Sequence, residues 1–336
     1  MKFDENKKRA INAYILEKVE QNCENLSETV SETFGINRNT AHKYINNLVQ
    51  TNVIKRVKRG VYCFVKNVYQ YEMQRSKGEL SSDTYAYDKY FRQHIQNMPD
   101  NVKEIWEYTF SEMMNNVMDH SNAENLTLIV EQNELQTAVY IIDDGVGIFE
   151  KIKNYFNLDT AEEAICELFK GKLTTDSENH SGEGIFFSSK IMDEFFILSG
   201  KNVFSNNKYN NSRVFNLPET VNGTAVFMAL SNSTHKHTCE IFDLYANVDG
   251  GFTKTLIPLK NIFENSPVSR SQARRVCNRL DKFQEVTLDF EGLEWMGQGF
   301  AHQIFSVFAK QNPQIKLIPI NMCEAVSKMY NHVTRA

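Results

Sequence analysis

The chain has 336 residues, 41% hydrophobic and 24% charged, with a formal net charge of −5. It is longer than the ~250–300 residues one core usually supports, so two or three domains are expected, and it has no global basic signature. No run of ~18 apolar residues marks a membrane span. The start, MKFDENKKRAINAYILEKVE, is too charged for a secretory leader, and the six cysteines, Cys23, Cys63, Cys166, Cys239, Cys277 and Cys323, form no C-x-x-C pair. Free thiols in a reducing, cytoplasmic setting are the expectation.

The first block, residues 1–66, opens with an amphipathic helical pattern over about 5–21. A second covers Leu26 to Phe34, with Gly35 placed to end it. Asn37 or Asn39 can cap a third, in which Ala41, Ile45, Leu48 and Val49 share one face. VIKRVKRGVYCFV then alternates apolar and basic residues around Gly60, as a short hairpin does. Between Gly35 and Lys66 stand seven basic residues and no Asp or Glu. Such a patch in an acidic chain predicts a polyanion partner, against the plainer readings of a solvated face or a protein contact. Three helices and a hairpin in this order resemble a winged helix-turn-helix domain. The resemblance implies a third helix in the major groove of double-stranded DNA and a wing on its backbone. Arg38, Thr40, His42, Lys43, Lys55, Arg56, Lys58 and Arg59 would make the DNA contacts.

Residues 67–84, NVYQYEMQRSKGELSSDT, are polar and weakly periodic, and read as a linker or connecting helix. Residues 85–232 alternate helices with β-rich runs such as LTLIV, TAVYIIDD and TAVFMAL, up to a polar joint, SNSTHKHTCE, at 231–240. In this block FSEMMNNVMDHS, residues 110–121, sets Glu112, Asn116 and His120 on one helix face at four-residue spacing. VYIIDDGVGI ends a strand in Asp143-x-Gly145-x-Gly147, where glycine lets the backbone turn and approach a ligand. HSGEGIFF places Gly182 and Gly184 before a helix, so free N–H groups face outward. NGTAVFM starts a strand at Gly223-Thr224.

Each motif is weak alone. In this order they resemble the N, G1, G2 and G3 boxes of the GHKL ATPase superfamily, the Bergerat fold, and most closely the anti-sigma-factor kinases. The likeness spans roughly residues 85–230. It implies ATP and Mg²⁺ as cofactors. Asn116 would coordinate Mg²⁺ through its side-chain oxygen. Glu112 would be the catalytic base, Asp143 would accept from the adenine amino group with Thr224 in support, and His120 would line the nucleotide site. Gly145 and Gly147 would make room for adenine, and Gly182 and Gly184 would offer N–H groups to phosphate. Residues 167–181 fall where the superfamily has an ATP lid. Asp119 departs from relatives with a basic residue there; Asn115 and Asp144 are read as incidental. A histidine kinase is not expected, because His94 lacks the neighbouring acid of a phosphoacceptor. His235, His237 and Cys239 alternate as on a strand but lack a fourth metal ligand.

The last block, 241–336, runs helix (about 269–282), strand (286–290), a turn with Gly297 and Gly299, helix (about 299–311), strand (315–320) and helix. It resembles the STAS-like domains, whose phosphorylated members carry a serine in the turn. Here Gly299 takes that place, which excludes phosphorylation there, and Ser306 is read as a plain helix residue. The domain is expected to contact the ATPase or a protein partner.

The expected protein is thus a multidomain α/β chain: winged helix (1–66), linker (67–84), Bergerat α/β sandwich (85–232) and STAS-like domain (241–336). The expected function is a DNA-binding regulatory switch driven by Mg-ATP binding and slow hydrolysis. A Ser/Thr protein kinase acting on a separate partner and an ATP-gated homodimer are the alternatives.

Overall fold

A computed structural model describes residues 4–173, 182–205, 221–247, 249, 251–263 and 265–335. The chain divides into two compact units, one of Met1–Tyr69 with Val130–Thr137, the other of Gln70–Ile129 with Ala138–Ala336.

In the first unit, α1 (Glu5–Glu20) begins where the Asp4 carboxylate accepts from the Lys7 N–H. The second helix, α2 (Leu26–Phe34), ends on Gly35 in the left-handed conformation. Asn37, not Asn39, caps α3 (Arg38–Gln50). Strands β1 (Ile54–Lys58) and β2 (Val61–Phe64) pair antiparallel across the Gly60 turn. Ile11, Ile15, Val30, Ala41, Ile45 and Ile54 form the core, which leaves the basic face of β1 outside.

The described residues include a six-stranded sheet in the order β3-β4-β5-β8-β6-β7. Its strands are β3 (Asn67–Gln74), β4 (Asn125–Gln132), β5 (Gln136–Asp143), β6 (Glu194–Gly200), β7 (Asn202–Ser205) and β8 (Val221–Ser231). Much of the expected linker is therefore edge strand β3. It hid in the sequence because an edge strand needs few apolar residues, and in this one only Met73 is buried. Arg75, just after β3, donates to the carbonyls of Val117, Met118 and Ala123 at 3.2, 3.1 and 2.7 Å. Those groups close the long helix α4 (Asp100–Asn115), which continues as a π-helical turn over Asn116–Ser121.

Helices α5 (Ile148–Tyr155), α6 (Ala161–Lys170) and α7 (Gly184–Ile191) follow β5 and precede β6. Helix α8 (Thr238–Tyr245) follows β8. His237 is its N-cap and Cys239 lies in its first turn, so His235, His237 and Cys239 sit on a loop and helix start, not on the expected strand. Their run is polar throughout and gives a strand no apolar face to bury.

The C-terminal part builds a separate parallel sheet, β11-β10-β9, from β9 (Lys254–Pro258), β10 (Glu285–Asp289) and β11 (Lys316–Ile320). Parallel pairs need crossovers. Helix α9 (Arg270–Cys277), with a Ser269–Gln272 capping box, lies between β9 and β10. A helical run beginning with α10 (Gln298–His302) and continuing through Gln311 lies between β10 and β11, and α11 (Glu324–Thr334) closes the chain. Phe186 and Phe187 of α7 share one buried cluster with Phe252, Ile257, Val286 and Phe300. The middle and C-terminal blocks thus have a common core. Among the described residues no helix is long and apolar enough to cross a membrane.

Candidate functional site

A cavity of about 390 Å³ opens between the sheet and helices α4, α5 and α7. It gathers Glu112, Asn116, His120, Asp143, Gly147, Gly182, Gly184 and Thr224, residues up to 112 positions apart in sequence. Gly145, the remaining expected nucleotide-site residue, does not line it. Instead its N–H donates to Asp143 Oδ1 at 2.8 Å, and its Cα lies so close to the Ser121 carbonyl that no side chain fits.

Asp143 ends β5 and is 3% exposed. Burial raises its carboxyl pKa to about 6, opposed by the N–H groups of Gly145 and Thr224. Thr224 Oγ1 accepts from the Ile148 N–H at 3.0 Å and so fixes the start of α5. Ser199 Oγ donates to the Gly223 carbonyl at 2.7 Å, tying β6 to the start of β8 just before Thr224. Ile152, Leu168, Ile197 and Val226 add an apolar lining. Asp143 thus offers a buried carboxylate acceptor beside this apolar lining, suited to a ligand N–H.

Glu112 and Asn116 leave α4 one turn apart, and Asn115 also lines the cavity. The π turn begins at Asn116, and π-helical turns widen the helix and occur often at functional sites. A side chain at Gly184 would collide with the Glu112 carboxylate, so that carboxylate lies over the first residue of α7. Next to it, burial raises the Glu183 pKa, and the Lys172 charge opposes the shift. Leu173 N–H donates to the Gly182 carbonyl at 2.9 Å. Of the expected lid, residues 167–173 are the end of α6 and the short stretch after it. Residues 174–181 lie outside the described residues.

Sequence reasoning missed Lys151 and Gly171, both in the cavity wall. A periodicity argument assigns Lys151 only to the polar face of α5. Asp144, read as incidental, is structural: its carboxylate accepts from the N–H groups of Glu124 and Asn125, both at 2.9 Å, and these bonds hold its pKa low. His94 shares a 2.8 Å hydrogen bond with the Tyr71 hydroxyl, and burial lowers its pKa.

In the first unit the expected DNA contacts divide. His42, Lys43, Lys55, Arg56 and Arg59 are exposed, and Thr40 is half-buried. Lys58 and Arg38, also exposed, sit 3.0 Å from Glu24 and 3.7 Å from Glu28. The fold therefore brings acids from the preceding segment beside two of the basic residues. In the C-terminal part, Gly299 is the second residue of α10, and Ser306 Oγ donates to the Val333 carbonyl at 2.9 Å.

Residues 272–327 match a sequence family described as a STAS-like domain of unknown function (DUF4325). The matched stretch runs from α9 through β10, the α10 run and β11 into α11, so the C-terminal part of the chain is STAS-like. Among curated proteins, none matches the chain.

Proposed function

We propose that the chain is an ATP-binding regulatory protein of the GHKL type whose N-terminal winged helix engages double-stranded DNA. The observation that carries the nucleotide reading is the buried Asp143 carboxylate at the end of an apolar slot, with Glu112, Asn116 and Gly184 lining the same cavity. An ionised carboxylate accepts strongly from an exocyclic amino group, and the apolar lining of Ile152, Leu168, Ile197 and Val226 suits the faces of a base. Gly184 is the first residue of α7, where free N–H groups and the helix dipole favour phosphate oxygens.

The residues present suit Mg²⁺: the Asn116 amide oxygen is a hard ligand, one helical turn from a carboxylate. Bound there, the ion would supply charge neutralisation on the phosphates. Glu112 then holds the position of a base that orients or deprotonates an attacking water or hydroxyl. A protein-kinase activity and an ATP-gated dimer remain the competing outputs of the same site.

The test is calorimetric titration of the full chain with a non-hydrolysable ATP analogue and Mg²⁺, with Asn116→Ala in parallel. Binding by the wild type and not by the variant supports the reading. No binding by either protein removes it.

A further inference from the structure

Lys151 leaves the middle of α5 and reaches the end of the helix that begins as α4. Its Nζ donates to the His120 carbonyl at 2.6 Å. That carbonyl belongs to the last helical turn, where backbone oxygens carry the negative end of the helix dipole. The side chain is half-buried and lines the cavity together with Asn116, His120 and Ser121. Partial burial lowers its ammonium pKa, and the charge favouring the ammonium comes from Asp119, which is exposed.

A lysine ammonium has three N–H donors, and one is used on His120. A cation held in a cavity wall by one carbonyl, beside a solvent-screened carboxylate, is poised for an anionic oxygen inside the cavity. Among the described residues that line the cavity, Lys151 is the one lysine or arginine: Glu112 is acidic, Asn116 is neutral, His120 is an imidazole, and the α7 start offers backbone N–H groups.

We infer that Lys151 is the cation that engages the phosphate chain of the bound nucleotide from the α5 wall of the cavity. This rests on the nucleotide reading given above. It makes Lys151 a specificity residue: it favours nucleoside di- and triphosphates over the nucleoside and leaves recognition of the base to Asp143. Asp119 tunes it from outside by drawing part of its charge.

The experiment compares adenosine, ADP and a non-hydrolysable ATP analogue by competition binding on the full chain, in wild type, Lys151→Met, Lys151→Arg and Asp119→Asn. The expected result for Lys151→Met is a tenfold or greater loss of affinity for ADP and the ATP analogue, with adenosine within twofold of wild type. Lys151→Arg recovers part of the loss, and Asp119→Asn tightens ADP a few-fold. An equal loss for all three ligands would make Lys151 a packing residue and overturn the inference while leaving the nucleotide reading intact. Unchanged ADP affinity in Lys151→Met overturns it as well. A wild type that binds none of the three overturns the nucleotide reading and this inference with it. Thermal unfolding of each variant separates a folding defect from a binding defect.

Discussion

Lys170 Nζ lies 2.6 Å from Glu167 Oε1, and the side chains of both residues are under 5% exposed. The remaining donors of Lys170 go to the carbonyls of Arg275 and Asn278 at 2.9 and 2.6 Å. Glu167 Oε2 faces Arg279 Nε at 3.4 Å. Two full charges are thus buried at the end of α6 and matched by groups in and just after α9, inside the STAS-like stretch. The pair is costly to desolvate, so its presence argues more for a fixed junction than for added stability.

Removing Lys170 leaves Glu167 with only the longer contact to Arg279, and removing Glu167 leaves Lys170 with no carboxylate beside it. Lys170→Ala or Glu167→Ala should each destabilise the chain by about 3–5 kcal/mol, measured by denaturant unfolding. The double variant Glu167→Leu with Lys170→Met should lose much less than the sum of the singles, because the two most deeply buried charges leave together and only the more exposed Arg279 loses a partner. Additive losses would show that the charges act independently. Gly171 and Leu173 follow this junction directly and line the cavity. A loss of nucleotide affinity in the single variants, restored in the double, would show that the junction positions the cavity wall.

The buried Asp143 carboxyl gives a pH dependence with a definite sign. Its folded pKa of about 6 lies above the ordinary carboxyl value of 3.8. Between those values the folded state holds a proton that the unfolded state has released. This group's contribution to stability is therefore fully present below about pH 4, falls as pH rises towards about 6, and stays constant above it. Ligand binding runs the other way. A base amino group needs the ionised carboxylate, so affinity should drop by up to about tenfold per pH unit below about 6. Asp143→Asn should abolish binding, and it should also remove the fall in stability between pH 4 and 6. Nucleotide affinity that stays flat from pH 7 to 5 would sink the assignment of Asp143 as the base acceptor.

The Gly184–Glu112 contact permits a backbone test. An alanine at 184 must push the Glu112 carboxylate off the start of α7. Gly184→Ala should weaken nucleotide binding by at least tenfold, because its methyl group and the displaced carboxylate crowd the N–H groups that face phosphate. Unfolding should shift by about 1–3 kcal/mol, the range for overpacking a buried position. Glu112→Ala should spare binding and remove hydrolysis. The combination Gly184→Ala with Glu112→Ala should then recover affinity, because the colliding carboxylate is gone.

Local periodicity made part of this arrangement legible. Glu112, Asn116 and His120 follow helix spacing, and the Asp143-x-Gly145-x-Gly147 turn sits at the end of an alternating run, so the helix face and the strand end could be read locally, whereas their joining in one site was implied only by the family resemblance. The STAS-like part was legible for the same reason, as β10 and β11 are short apolar runs between helices. Other features depend on distance in the chain. Lys170 looks like an ordinary helix-end lysine, since the carbonyls it reaches are 105 and 108 residues away. Lys151 looks like a surface residue until α5 packs beside the end of α4. Edge strand β3 lacked the apolar alternation that marks strands, and no pattern in the sequence announces the π turn at Asn116.

The same limit shapes the expectation for DNA. From Gly35 to Lys66 the sequence holds no acid, yet the fold sets Glu24 beside Lys58 and Glu28 beside Arg38. Exposed pairs of this kind contribute about 0–1 kcal/mol, so they reduce local charge without locking the side chains. The contacts with phosphate should therefore fall more heavily on Lys43, Lys55, Arg56 and Arg59. Neutralising Lys55, Arg56 and Arg59 together should weaken DNA binding uniformly across sequences. The slope of log affinity against log salt should shrink by about three, near one for each phosphate that no longer meets a cation. Lys58→Ala alone should cost less than Lys55→Ala, because Glu24 already screens it, and Glu24→Gln should strengthen binding. Fluorescence anisotropy with a mixed-sequence duplex at several salt concentrations measures all of these. An unchanged salt slope in the triple variant would assign the patch to a protein contact instead.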